Sequence, residues 1–174
     1  DRGIGEQKIE EFRNGFPPVW QQFIVKTGLD KLYSKEDLES KENQYLSYGV
    51  SLLDSLYATG ILPQSIDGHD DIDYSHGIIV LVNKVSQDRF AGQVKNALDS
   101  YKSIQESMVD TLNIEGLGIK EKDQLFRDVS LNRFVVSNLI YDHETSRSIR
   151  ESLLDEVSLT RGLVQEGERV ISQG

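Results

Sequence analysis

The side chains of this chain that could do metal or acid–base chemistry crowd into one place. Gly68-His69-Asp70-Asp71-Ile72-Asp73-Tyr74-Ser75-His76 is the only stretch where histidines and carboxylates stand together. Imidazole and carboxylate are good donors for Zn²⁺ or Mn²⁺. The competing reading is an acidic loop whose charges are simply hydrated, and it is the preferred one. Metal ligands normally converge from separate elements whose neighbours hold them in place, and a single loop offers no such support. His69-Asp70 would also need further His and Asp ligands on helices to bind paired metals that activate water. The only histidine outside the loop is His143, at the start of a helix. No metal ligand and no catalytic residue is therefore expected within this chain.

Other chemistries find little footing. There are no cysteines, so there is no thiol nucleophile and no Cys-based metal site. Gly116-x-Gly118 lacks the remaining glycine of a phosphate-binding loop and follows a helix rather than a strand. No serine has an evident histidine partner. Carboxylate pairs such as Glu10/Glu11 and Asp70/Asp71 are expected by chance among 29 acidic residues, and adjacent residues on a helix point to different faces. The net charge of −10, with no Lys/Arg cluster, repels phosphate backbones and anionic lipid, so nucleic acid is not an expected partner. A chain of 174 residues fits one domain, 1–174, able to bury about two-thirds of its unfolded surface. No window approaches ~18 consecutive apolar residues, and Asp1-Arg2-Gly3 is not a signal peptide.

The richest pattern lies from Asn138 to Gly174. Asp142 can cap a helix with Glu144 in its first turn, and Ile149, Leu153, Leu154 and Val157 then recur as an apolar stripe, so a helix is predicted over about His143 to Val157. After Val157 the period changes. Leu159, Arg161, Leu163 and Gln165 alternate with Thr160, Gly162 and Val164, which reads as a strand. Gln165-Glu166-Gly167-Glu168 is a glycine-bearing turn, and Arg169-Val170-Ile171-Ser172 a returning strand.

This run, N-L-I-Y-D-x-x-x-T-x-x-x-R followed by T-R-G-x-V-x-x-G-E-R-V-I-x-x-G, resembles the end of the extracytoplasmic domain of the seven-transmembrane HD-domain family, membrane-anchored phosphodiesterases that hydrolyse cyclic di-AMP. The matching positions are Asn138, Leu139, Tyr141, Asp142, Thr145 and Arg150, then Gly162, Val164, Gly167, Glu168, Ile171 and Gly174. The chain departs from the pattern at Ser137, where the family often has proline. The specific match covers about the last fifth of the chain, with weaker agreement in the order of elements before it. The resemblance implies a parent chain with one membrane helix before this segment and seven after it. It implies an excised domain on the outer face of a bacterial cytoplasmic membrane. It further implies a divalent metal such as Mn²⁺ held only in a separate HD domain, with no cofactor here.

The rest of the chain reads as mostly helical. Ile9 and Phe12 mark a short helix from about Ile4 to Asn14 that Gly15 can end, and Pro17-Pro18 open a second with Trp20, Phe23 and Ile24 turned inward. Trp20 and Met108 read as core residues rather than ligand platforms. Ser34 and Asp37 form a capping box for a helix over Lys35 to Thr59, with Gly60 as an αL terminator. Gly49 inside that helix suggests the close approach of a neighbour. Leu62 to Gly77 reads as a loop, Ile78–Val82 as a buried strand, and Gln93 to Leu112 as an amphipathic helix. A shorter helix over Lys120 to Asp128 and helical turns over Leu131–Val136 complete the order. The expected fold is α+β, with about five to seven helices and one small antiparallel or mixed sheet near 78–84, 88–91, 158–165 and 169–172.

Two functions from different classes remain. One is a sensory domain in which a small molecule or peptide shifts helix packing and so biases the parent phosphodiesterase. The other is a module that binds an envelope protein or a second copy of itself. A cavity with convergent polar groups favours the first, and an exposed apolar patch the second.

Overall fold

The first helix shows how a continuous apolar stripe can carry a helix through two prolines. Ile9, Phe12, Phe16, Trp20, Phe23 and Ile24 lie at three- and four-residue steps, and α1 runs unbroken over Arg2–Thr27 with Pro17 and Pro18 inside it. The two separate helices expected there are one. Each interior proline forfeits a backbone bond and costs about 3 kcal/mol. Against that, each large side chain on the stripe gains roughly 1.5–3 kcal/mol on burial. Keeping the stripe in register also holds the rings in one row. Phe12 to Phe16, Phe16 to Trp20 and Trp20 to Phe23 have centroids 5.6, 6.0 and 5.9 Å apart. Trp20 is fully buried, as its place on the stripe implied, with its indole also against Tyr45.

The computed structural model of the chain describes residues 2–63, 78–82, 85–89 and 93–162. The fold class is α+β: mostly helical, with two small sheets of two strands each among the described residues. Helix α2, Lys35–Thr59, has the predicted bounds because its cap is local. Ser34 Oγ accepts the Asp37 N–H at 3.1 Å and closes the first turn. A Cβ on Gly49 would stand 2.7 Å from the Phe12 ring and 2.9 Å from Met108 Cε, so glycine there lets α1 and α3 close on α2 at one point. That contact outweighs the ~1 kcal/mol that glycine costs a helix interior. Helix α3, Ala97–Thr111, buries Ser100, Ile104 and Met108 on that side. Asn96 caps it by accepting the Asp99 N–H at 2.9 Å. Helix α4, Ile119–Asp128, then packs Leu125 and Phe126 into the same core. A 3₁₀ turn over Leu131–Phe134 leads into a segment without regular secondary structure, 135–142, and so to helix α5, His143–Gly162.

The strands differ from expectation in three respects. First, Ile61–Leu62 (β1) and Lys95–Asn96 (β4) pair in parallel, Ile61 with Lys95 and Leu62 with Asn96, where a loop and a helix start were expected. Second, Ile78–Val82 (β2) pairs antiparallel with Val85–Arg89 (β3), in a register that joins Val82 to Val85, rather than with a strand over 88–91. The two pairs are separate sheets, not one. Third, residues 158–162, expected to begin a strand, continue α5 to Gly162. Five residues at the start of an alternating run carry little weight against a helix already propagating, because each added residue gains a backbone bond. The rest of the predicted terminal hairpin, including the strand near 169–172, lies outside the described residues.

Two compact units divide the chain at Ile140/Tyr141. Within the second, the expected buried stripe of α5 is open at Leu153 and Leu154, which are 56% and 62% exposed. No helix among the described residues is long and apolar enough to cross a membrane.

Candidate functional site

The residues of the C-terminal signature take up distinct structural duties. A helix end leaves carbonyls unpaired, and the turn after it leaves amides that need partners. Asn138 supplies both at the end of α2: its Nδ2 donates to the Tyr57 carbonyl at 3.0 Å, and its Oδ1 accepts the Ile61 N–H at 2.7 Å. The backbone N–H groups of Asn138 and Leu139 both donate to the Ile61 carbonyl at 3.2 Å. Leu139 presses on Gly60, where a Cβ would meet Leu139 Cδ1 at 2.7 Å. Gly60 has φ 102° and ψ 140°, a glycine-only conformation but not the αL geometry its position suggested. A second tie lies one turn back. Tyr57 Oη donates to the Phe134 carbonyl at 2.7 Å and accepts the Val136 N–H at 3.3 Å, and its burial pushes its pKa up. The segment 134–139 is thus strapped across the end of α2.

In the second unit, Asp142 and Thr145 form a cap. Asp142 Oδ1 accepts the Thr145 N–H at 3.0 Å and Oδ2 accepts the Thr145 hydroxyl at 2.8 Å. These bonds, the backbone one foremost, hold the Asp142 carboxyl below its ordinary value of 3.8. Tyr141 sets its ring edge-on to His143 at 4.6 Å, and Arg150 is exposed. Gly162 is the last described residue of α5 and helical, not part of a strand. Val164, Gly167, Glu168, Ile171 and Gly174 lie outside the described residues, as do His69, Asp70, Asp71, Asp73 and His76. Among the described residues no three His, Cys, Asp or Glu side chains stand where they could hold a metal ion.

A groove of about 200 Å³ opens between α2 and α3 beside this strap. Leu52, Leu56 and Ile104 give it apolar walls, and Gly60 also lines it. Around them stand Ser55 and Thr59 from α2, Ser103 and Ser107 from α3, and Gln93 and Lys95 from the segment before α3. Among the described residues Lys95 is the only charged one lining it, and it donates to Ser103 Oγ at 3.2 Å. The hydroxyls of Thr59 and Ser107 donate back to the helix carbonyls of Ser55 and Ser103, at 2.9 and 2.8 Å. Their protons are spent, so toward the groove they are acceptors only.

The groove was not legible in the sequence, because serine and threonine on α2 and α3 read as solvated helix faces. Its one sequence trace is the hydroxyl spacing Ser55/Thr59 and Ser103/Ser107, four residues apart on each helix, which puts each pair on one face. The geometry joins groove and strap through one backbone. Ile61 pairs with Lys95 on one side and is held by Asn138 on the other. The chain matches no family model, no curated protein and no solved structure.

Two outcomes test these assignments. Asn138→Ala leaves the Ile61 N–H without its partner and is expected to lower unfolding free energy by about 1–3 kcal/mol in urea titration. A change within error contradicts the strap. For Asp142 the folded carboxyl binds its proton less readily than the unfolded one, so the cap stabilises above the ordinary carboxylate pKa and is lost as pH falls through the lowered folded value. The helicity of α5, read from backbone chemical shifts, should fall on acidification in that range. In Asp142→Asn, whose amide oxygen caps without titrating, that step should be missing.

Proposed function

We propose that this chain is a non-catalytic sensory domain: a small ligand enters the α2–α3 groove, and the strap that leaves the end of α2 carries the consequence toward the C-terminal helix. The observation that supports this is the double use of Ile61. A ligand that moves Lys95 acts on the strand paired with Ile61, and Ile61 is also where the exit segment is fastened. Coupling of this kind requires the ligand to bind one arrangement of that joint more tightly than another. Asn138, Asp142 and Thr145 serve the joint and the helix it leads to, which gives the signature residues work consistent with transmission rather than catalysis.

The resemblance of that signature extends the proposal. The domain would sit on the extracytoplasmic side of a membrane-bound HD phosphodiesterase, and cyclic di-AMP would be hydrolysed in a separate cytoplasmic domain holding divalent metal such as Mn²⁺. A second reading rests on a different observation. Leu153 and Leu154 are exposed on α5, as Ile79, Leu81 and Val85 are on the β2–β3 hairpin, and such surface suits self-assembly or an envelope partner.

The purified chain with Mn²⁺ is expected to leave cyclic di-AMP intact. Turnover above a heat-killed control overturns the non-catalytic reading. The encoding gene is expected to show hydrophobic spans on both sides of these residues and a His-Asp motif downstream. Their absence overturns the membrane assignment while leaving the groove untouched.

A further inference from the structure

We infer that the groove between α2 and α3 takes a small aliphatic amino acid in its zwitterionic form; this rests on the reading of the groove as the ligand site. Its volume of about 200 Å³ lies below the roughly 300–1,000 Å³ of sites for drug-sized molecules, so the ligand is a small metabolite. The polar groups then divide by what they can still do. Lys95 has ammonium protons beyond the one given to Ser103, and Ser103, which accepts from Lys95, keeps its own proton to donate. Together they suit a carboxylate. Thr59 of α2 and Ser107 of α3, which also line the groove, have spent their protons on helix carbonyls and can only accept. They require N–H or O–H groups on the ligand, and an ammonium supplies three.

Charge decides among the ligands that meet both conditions. Among the described residues one cation lines the groove, in a chain whose net charge is −10, so a multiply charged anion such as phosphate would be under-neutralised there. A zwitterion brings no net charge. Leu52, Leu56 and Ile104 leave an apolar wall against which a short branched side chain can lie, and they offer nothing to a polar one.

The test uses thermal shift and calorimetric titration of the whole chain with L-valine, isobutylamine, isobutyrate and inorganic phosphate. These probes separate the zwitterion from its amine alone, its carboxylate alone and a bare anion. L-Valine is expected to raise the melting temperature, and the other three not to. Lys95→Gln, at an exposed position, is expected to keep the unligated melting temperature and to weaken valine binding by about tenfold or more, the loss of a charge-assisted hydrogen bond. Ser107→Ala is expected to weaken it independently. If isobutyrate or phosphate binds as well as valine and Lys95→Gln removes it, the zwitterion is overturned while the groove stands as a site. If no probe binds, or binding is indifferent to Lys95, the groove reading itself is overturned.

Discussion

The fully buried backbone of Ile61 is the point on which the arrangement depends. It follows directly on the end of α2, where a helix leaves carbonyls unpaired and the next residues must find new partners for their own groups. Asn138 receives its N–H, the Asn138 and Leu139 amides share its carbonyl, and Lys95 lies beside it in the parallel pair. A buried amide without a partner costs about 1–3 kcal/mol, so these bonds are close to obligatory once Ile61 is inside. Three distant segments of the chain are thereby tied at one residue. The groove and the exit toward the C-terminal helix are neighbours because of that tie.

The helical core sets this residue where it is. Gly49 lets Phe12 and Met108 reach the backbone of α2, and the aromatic row of α1 fills the remaining space down to Tyr45. Further along, Gly5 admits the Tyr57 ring against α1, since a Cβ there would stand 2.8 Å from it. Tyr57 is thus fixed at its ring by α1 and at its hydroxyl by the segment after the 3₁₀ turn. The strap inherits its position from packing two helices away.

What the sequence revealed was whatever is decided locally. Ser34 and Asp37 announced the start of α2 and Asp142 and Glu144 that of α5, because caps depend on near neighbours, while Gly49 announced a close helix approach by its missing side chain alone. Pro17-Pro18 misled for the opposite reason: the aromatic stripe that holds α1 together is satisfied by partners distant in sequence, among them Tyr45 of α2 and Phe134 of the 3₁₀ turn. Strands β1 and β4 have two residues each, too few for any alternation to register. The same weakness made 158–162 look extended when they are helical. The groove needed α2 laid on α3 before its hydroxyls could face one another. Asn138 was picked out by resemblance, but its clamp on Tyr57 and Ile61 reaches back 81 and 77 residues and leaves no trace in spacing.

Native-state hydrogen exchange, read residue by residue by NMR, bears most directly on the Ile61 tie. The amides of Ile61 and Leu139 are predicted to exchange as slowly as those in the middle of α2 around Leu53, because releasing either opens the core that holds both. Rapid exchange at Ile61 and Leu139 beside a protected Leu53 would mean that the strap is loose, and would contradict a joint able to connect the groove to the C-terminal helix.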